Sequence, residues 1–199
     1  MDSASYTTKT KTAIWLAAPY FAVAVFWCGL SNAWLAILAY HAQILWFSRK
    51  DITETSWKIS PRFILLALPA VLAGPLIWWL LPHITHTDFP AWLADHHLSR
   101  LSLAVMIPYF GLVHPVLEQI HWAPLREKTP LAHPLFAGYH MLVLFSLLTV
   151  PWLAIGFVAL AAASVAWQFL AKRSGSLAAP IASHILADLG IIIAAWSRL

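Results

Sequence analysis

Long apolar runs separated by short polar clusters dominate the chain, and most runs approach the length that a bilayer demands. A spanning helix needs about 20 mostly apolar residues, within a range of roughly 17 to 25. Runs at 12–30, 33–47, 63–81, 101–121, 135–150, 151–171 and 177–196 follow this pattern, the second being short unless its turn residues are included. The expected fold is therefore all-α: a polytopic membrane protein of about seven transmembrane helices in one bundle, with residues 1–199 as a single integral membrane domain. Pro19, Pro69, Gly74 and Pro75 read as bends that neighbouring helices accommodate. Between the runs, 48–62 and 122–134 read as loops, 172–176 as a short loop, and 82–100 as an interfacial segment with a short surface helix.

Composition strengthens this picture. Only 10% of the 199 residues are charged, against about 25% in a soluble domain. Twelve Trp suit aromatic belts at both membrane interfaces, with Trp78, Trp79 and Trp152 as markers. Cys28 is the sole cysteine, so an intramolecular disulfide is excluded. The formal charge of +4 is dispersed over loops, so lipid is the expected partner and nucleic acid is not. No cleavable signal peptide is expected, because the segment up to Lys11 is polar and the first apolar run leads straight into a second. With seven spans and the N-terminus inside, Lys9, Lys11, Arg49, Lys50, Lys58, Arg62, Arg126, Lys128, Lys172 and Arg173 fall on the inner side, and only Arg100 and Arg198 on the outer. The positive-inside rule then predicts a multi-pass cell-membrane protein with a cytoplasmic N-terminus and an external C-terminus.

Ionisable groups inside apolar runs are costly and mark candidate sites. The second run has His41 and Gln43 as its polar members, and three runs carry strongly polar groups at depth. The fourth ends in His114-Pro-Val-Leu-Glu118-Gln119-Ile-His121, where spacings of four and three place His114, Glu118 and His121 near one helix face. The fifth has His140, with Tyr139 beside it, and the seventh has His184 and Asp188, four apart. In the expected orientation all lie toward the cytoplasmic side. Two chemistries fit such a set. Glu118 can act as a general base on water while histidines support an oxyanion. Alternatively, carboxylate and imidazoles can bind zinc or iron. The histidines of the 82–100 segment (His83, His86, His96 and His97) read as a solvated loop on the opposite side.

At these residues the chain resembles the CPBP family, which comprises the CAAX proteases and bacteriocin-processing enzymes and is also called Abi. That family carries Glu-Glu-x-x-x-Arg, Phe-x-x-x-His, and His-x-x-x-Asn or Asp. The second motif reads Phe136-Ala-Gly-Tyr-His140 and the third His184-Ile-Leu-Ala-Asp188, preceded by Gly175-Ser-Leu-Ala-Ala-Pro-Ile-Ala-Ser. The resemblance covers about 115–190. The first motif departs: Gln119 replaces the second Glu and Ala123 replaces the Arg, a joint loss of what would be a supporting ion pair, with Arg126 in the following loop as a substitute.

The resemblance implies an intramembrane endopeptidase acting on a peptide or protein reached from the cytoplasmic side. Glu118 and His140 would activate water, and His184 and Asp188 would support the oxyanion. Gln119 would flank them; His114 and His121 lie outside the family's motifs and read as flanking or structural residues. The cofactor is left open between zinc and none; a metal, if used, would sit on Glu118, His140 and His184. The altered first motif keeps a second reading open, a catalytically degenerate relative acting in membrane binding or bacteriocin immunity. A transporter or proton relay is a third, opposed by the absence of an internal repeat.

Overall fold

The computed structural model describes residues 3–199, with side chains from residue 10 onward. The polar start counted above through Lys9 lies outside the described side chains. All named elements among the described residues are helices. α1 (Ser3–Ala22) runs through Pro19 and continues as a π-helix over Val23–Gly29. Ser31, with a φ of 48°, and Asn32 make the turn into α2 (Ala33–Phe47), and the Asn32 side chain caps it by accepting from the Leu35 amide. The short α3 (Arg49–Glu54) lies in the first expected loop. α4 spans Pro61–Ile84, passing through a 3-10 turn at Leu68–Leu72 that holds Pro69. α5 (Phe89–Asp95), capped by Asp88, is the expected short helix of the 82–100 segment. α6 spans Arg100–Lys128 and includes a π-helical stretch at Tyr109–Val113. α7 (Ala132–Leu144), α8 (Val150–Ser174) and α9 (Ala178–Ser197) complete the chain.

Five helical stretches are long and apolar enough to cross a membrane: Thr10–Gly29, Pro61–Ile84, Arg100–Lys128, Val150–Ser174 and Ala178–Ser197. The other two expected spans are shorter helices, α2 with 15 residues and α7 with 13. Many large side chains on these helices are exposed, among them Phe21, Leu66, Leu72, Trp79 and Val158, as a lipid-facing surface requires.

Two helix ends depart most from the sequence pattern, and the first shapes the site. α6 does not stop near His121 but continues through Pro124 to Lys128. Pro124 removes one amide donor, yet the helix persists because its last two turns are packed: Trp122 and Leu125 are fully buried. α7 ends at Leu144 rather than reaching 150, and the chain then turns. There the His86 amide donates to the Leu147 carbonyl at 3.0 Å, and the Thr149 amide to that of Ile84 at 3.0 Å, tying this turn to the end of α4.

Small residues allow the closest helix contacts, as expected where lipid is as apolar as the side chains. Gly74 of α4 faces Gly190 of α9 so closely that a Cβ on Gly74 would stand 2.6 Å from the Gly190 Cα. Gly175, with a φ of 63°, ends α8 in the left-handed conformation that glycine adopts without strain. Next to it, the Leu177 amide and the Ser176 hydroxyl both donate to the Ser56 carbonyl, which fixes the start of α9 against the loop after α3.

Candidate active site

Glu118 sits in the middle of four helices and has no exposed surface. Its two oxygens are treated differently. Oε1 accepts from the Tyr40 hydroxyl of α2 at 2.7 Å and from the Tyr139 hydroxyl of α7. Oε2 has no hydrogen-bond partner among the described residues; it faces His114 Nε2 at 3.5 Å and His184 Nε2 at 3.6 Å. The same His184 Nε2 lies 3.4 Å from Asp188 Oδ2, which is also buried and, among the described residues, without a hydrogen-bond partner. The i,i+4 spacing on α9 produces this second pairing directly. Two carboxylate oxygens and one imidazole nitrogen thus surround a common region.

The other expected residues fall into three groups. His140 meets the cluster through a neighbour: its Nε2 is 3.1 Å from the Tyr139 hydroxyl, and its Nδ1 donates to the Phe136 carbonyl at 2.8 Å. Tyr139 carries one proton and faces two acceptors, Glu118 Oε1 and His140 Nε2, so it couples the two. His114 stands beside the carboxylate and binds away from it to His41, Nδ1 to Nε2 at 2.9 Å, with His41 Nδ1 in turn 2.7 Å from the Tyr109 hydroxyl. His121 shares the helix face but not the site. Its Nδ1 is 3.2 Å from the Ser48 hydroxyl, and its Nε2 donates to the Trp15 carbonyl at 3.2 Å.

Gln119 occupies the far side of His184. Its amide nitrogen is 3.1 Å from His184 Nδ1, and its carbonyl oxygen accepts from Arg126 Nη1 at 2.8 Å. Arg126 is 3% exposed, donates from Nε to Ser164 Oγ at 2.9 Å, and lies over the rings of Phe136 and Trp167 at 5.4 and 5.5 Å. The guanidinium therefore does reach Gln119, because α6 continues as a helix to its position. Trp167 also stacks on the His184 ring, with centroids 4.3 Å apart.

Three contributors carry no motif signal in the sequence: Tyr40, which also accepts from Trp122 Nε1 at 2.8 Å, His41 and Ser164. A tyrosine beside a histidine in an otherwise apolar run was the only cue to the first two.

The trio Glu118, His140 and His184 does not converge as a metal site. His140 gives one nitrogen to a backbone carbonyl and the other to Tyr139, and among the described residues no group of three or more His, Cys, Asp or Glu side chains is placed to hold a metal ion.

A cavity of about 470 Å³ opens beside the site, between the ends of α6 and α8 and the start of α9. Gln119, Arg126, Gln168, Lys172 and Ser176 are among its lining residues, whereas Glu118 and His184 are not. Compared with family models, curated proteins and solved structures, the chain matches none of them.

Proposed function

We propose that the chain is an intramembrane endopeptidase of the type its motifs resemble, hydrolysing a peptide bond with water activated by Glu118. The observation that carries this reading is the pair of buried, unpartnered carboxylate oxygens, Glu118 Oε2 and Asp188 Oδ2, either side of His184 Nε2 at 3.6 and 3.4 Å. Buried polar atoms are normally paired, and exceptions call for a reason; a water and a carbonyl group of the substrate supply one.

In this mechanism Tyr40 and Tyr139 hold Oε1, which leaves Oε2 to take a proton from water. The water oxygen adds to the peptide carbonyl carbon, and the C=O electron pair moves to its oxygen. His184 Nε2–H donates to that oxyanion. The C–N bond then breaks, and the proton held on Glu118 passes to the leaving amine. While Glu118 is protonated, Tyr139 turns its own proton toward His140 Nε2, so His140 acts through Tyr139. Asp188, four residues on from His184, orients that ring. The substrate enters by the cavity at Gln119 and Arg126, which lies on the side we assign to the cytoplasm from the distribution of Lys and Arg. In the same reading α2 and α7 cross with the five longer stretches, giving seven spans with the N-terminus inside.

A second reading, a catalytically degenerate binding or immunity protein, is favoured by one fact: Glu118 has no exposed surface and does not line the cavity. Purified protein in liposomes, offered a mixture of peptides, separates the two. The peptidase reading expects cleavage that Glu118→Ala and His184→Ala abolish while both variants stay folded. Cleavage that survives both substitutions removes the site assignment, and no cleavage by the wild type favours the binding reading.

A further inference from the structure

We infer that Gln119 and Arg126 together hold His184 as the neutral tautomer protonated at Nε2, which makes Gln119 a positioning residue for the site. The catalytic consequence rests on the peptidase reading above; the tautomer itself does not.

Two groups that can only donate set the tautomer. A guanidinium has no acceptor, so the group 2.8 Å from Arg126 Nη1 must be the Gln119 carbonyl oxygen. That fixes the amide orientation and turns its NH₂ toward His184 Nδ1, 3.1 Å away. An amide NH₂ also only donates, so Nδ1 must present its lone pair. A neutral imidazole with a bare Nδ1 carries its proton on Nε2. Nε2 is the atom that faces Glu118 Oε2 and Asp188 Oδ2.

The rest of the arrangement keeps the chain of donors rigid. Arg126 is anchored by Ser164 and by the faces of Phe136 and Trp167, and its own carbonyl accepts from Gln168 Nε2 at 2.8 Å. Trp167 holds the His184 ring plane. Glutamate at position 119 reverses the logic. A carboxylate accepts from Arg126 and can meet His184 only if Nδ1 carries a proton. Gln119 thus lets an uncharged imidazole aim an N–H at the region where an oxyanion would form, a role that a neutral histidine can fill.

The test is nitrogen-15 NMR of the full chain, labelled at histidine, in lipid nanodiscs. His184 is identified by the signals lost in His184→Asn. The wild type is expected to show a bare Nδ1 and a protonated Nε2. Gln119→Glu is expected to protonate Nδ1, and Gln119→Met, of similar length but without a donor, to give a mixture of tautomers. A wild-type His184 with a proton on Nδ1 overturns the inference, as does a His184 signal unchanged in Gln119→Met. Should Gln119→Glu fail to fold, the methionine variant alone decides. In the peptidase assay Gln119→Glu is expected to lower kcat by about 100-fold, the scale of losing one oxyanion donor, with KM changed much less. If no form cleaves any peptide while the NMR result holds, the proposed function fails and the tautomer assignment stands.

Discussion

Adding one methyl group at Gly190 should open the site from a distance. A Cβ there would stand 2.9 Å from both the Cα and the N of Gly74. Both are backbone atoms, so nothing can rotate away. Carbon atoms in good contact sit about 3.5–4.0 Å apart, so the helices must part by roughly 0.6–1 Å. Overpacking of this kind costs about 1–3 kcal/mol, while replacing glycine by alanine within a helix returns up to about 1 kcal/mol. A net loss of about 0–2 kcal/mol is therefore expected for Gly190→Ala, and more for Gly190→Val. The functional effect is larger. Gly190 lies two residues beyond Asp188 and six beyond His184, about 9 Å along the axis at 1.5 Å per residue. The His184–Asp188 contact lies within α9 and survives a movement of that helix. The 3.6 Å approach of His184 Nε2 to Glu118 Oε2 is between helices and does not. Misplacement by about 1 Å can cost about 100-fold in rate. Thermal unfolding in detergent and peptide turnover in liposomes, measured on Gly190→Ala and Gly190→Val, read the two effects separately. Wild-type stability and turnover in the valine variant would refute the argument, since they would mean that the α4–α9 contact does not set the site.

Other outcomes follow from single contacts. Tyr40→Phe should destabilise the protein more than Tyr139→Phe, by about 1–3 kcal/mol, because only the former leaves the Trp122 indole N–H buried and unpaired, whereas His140 is half-buried and can be hydrated; equal losses in chemical unfolding would contradict this. Outside the spans, burial raises the Asp51 carboxyl above its ordinary 3.8, against the opposing charge of Lys128. The folded state then holds the Asp51 proton more tightly than the unfolded state, so stability falls as pH rises through that window. Asp51→Asn should raise the melting temperature at neutral pH and lose its advantage below about pH 3.8, and an advantage independent of pH would exclude this cause. For orientation, in a Cys28→Ser background in sealed inverted vesicles, an impermeant maleimide should label Lys58→Cys and spare Asp95→Cys; the opposite pattern would reverse the topology.

The buried polar cluster is legible in the sequence where chemistry breaks the apolar pattern. Glu118, His184 and Asp188 were legible because a charged group in an apolar run is costly and an i,i+4 pair shares a face. His121 shares the helix face of Glu118 but not its contacts, because a helix face is longer than a site: seven residues separate it from His114, about 10 Å of axis. Arg126 is legible as a substitute cation, but Pro124 reads as a helix end and puts it in a loop. Once the helix continues, Arg126 lies seven residues from Gln119 and almost in line with it, within reach of a long side chain. Tyr40 carries only a weak cue, for a different reason. A tyrosine in a membrane run ordinarily marks an interface, and only the packing of α2 against α6 turns its hydroxyl onto Glu118. The span pattern placed all the long helices, but five residues after Leu144 turned out to bridge back to α4, a pairing of distant segments that periodicity does not encode.

In the proposed function the carboxylate of Glu118 drives peptide hydrolysis, and turnover by Glu118→Gln, which preserves the shape of the side chain and removes the base, reads that role on its own. The variant is first matched to the wild type by melting temperature in the same liposomes. The account predicts cleavage by the wild type and a loss of at least about 100-fold in the variant, at the lower end of what a general base contributes. Turnover in Glu118→Gln within a few-fold of the wild type would contradict it.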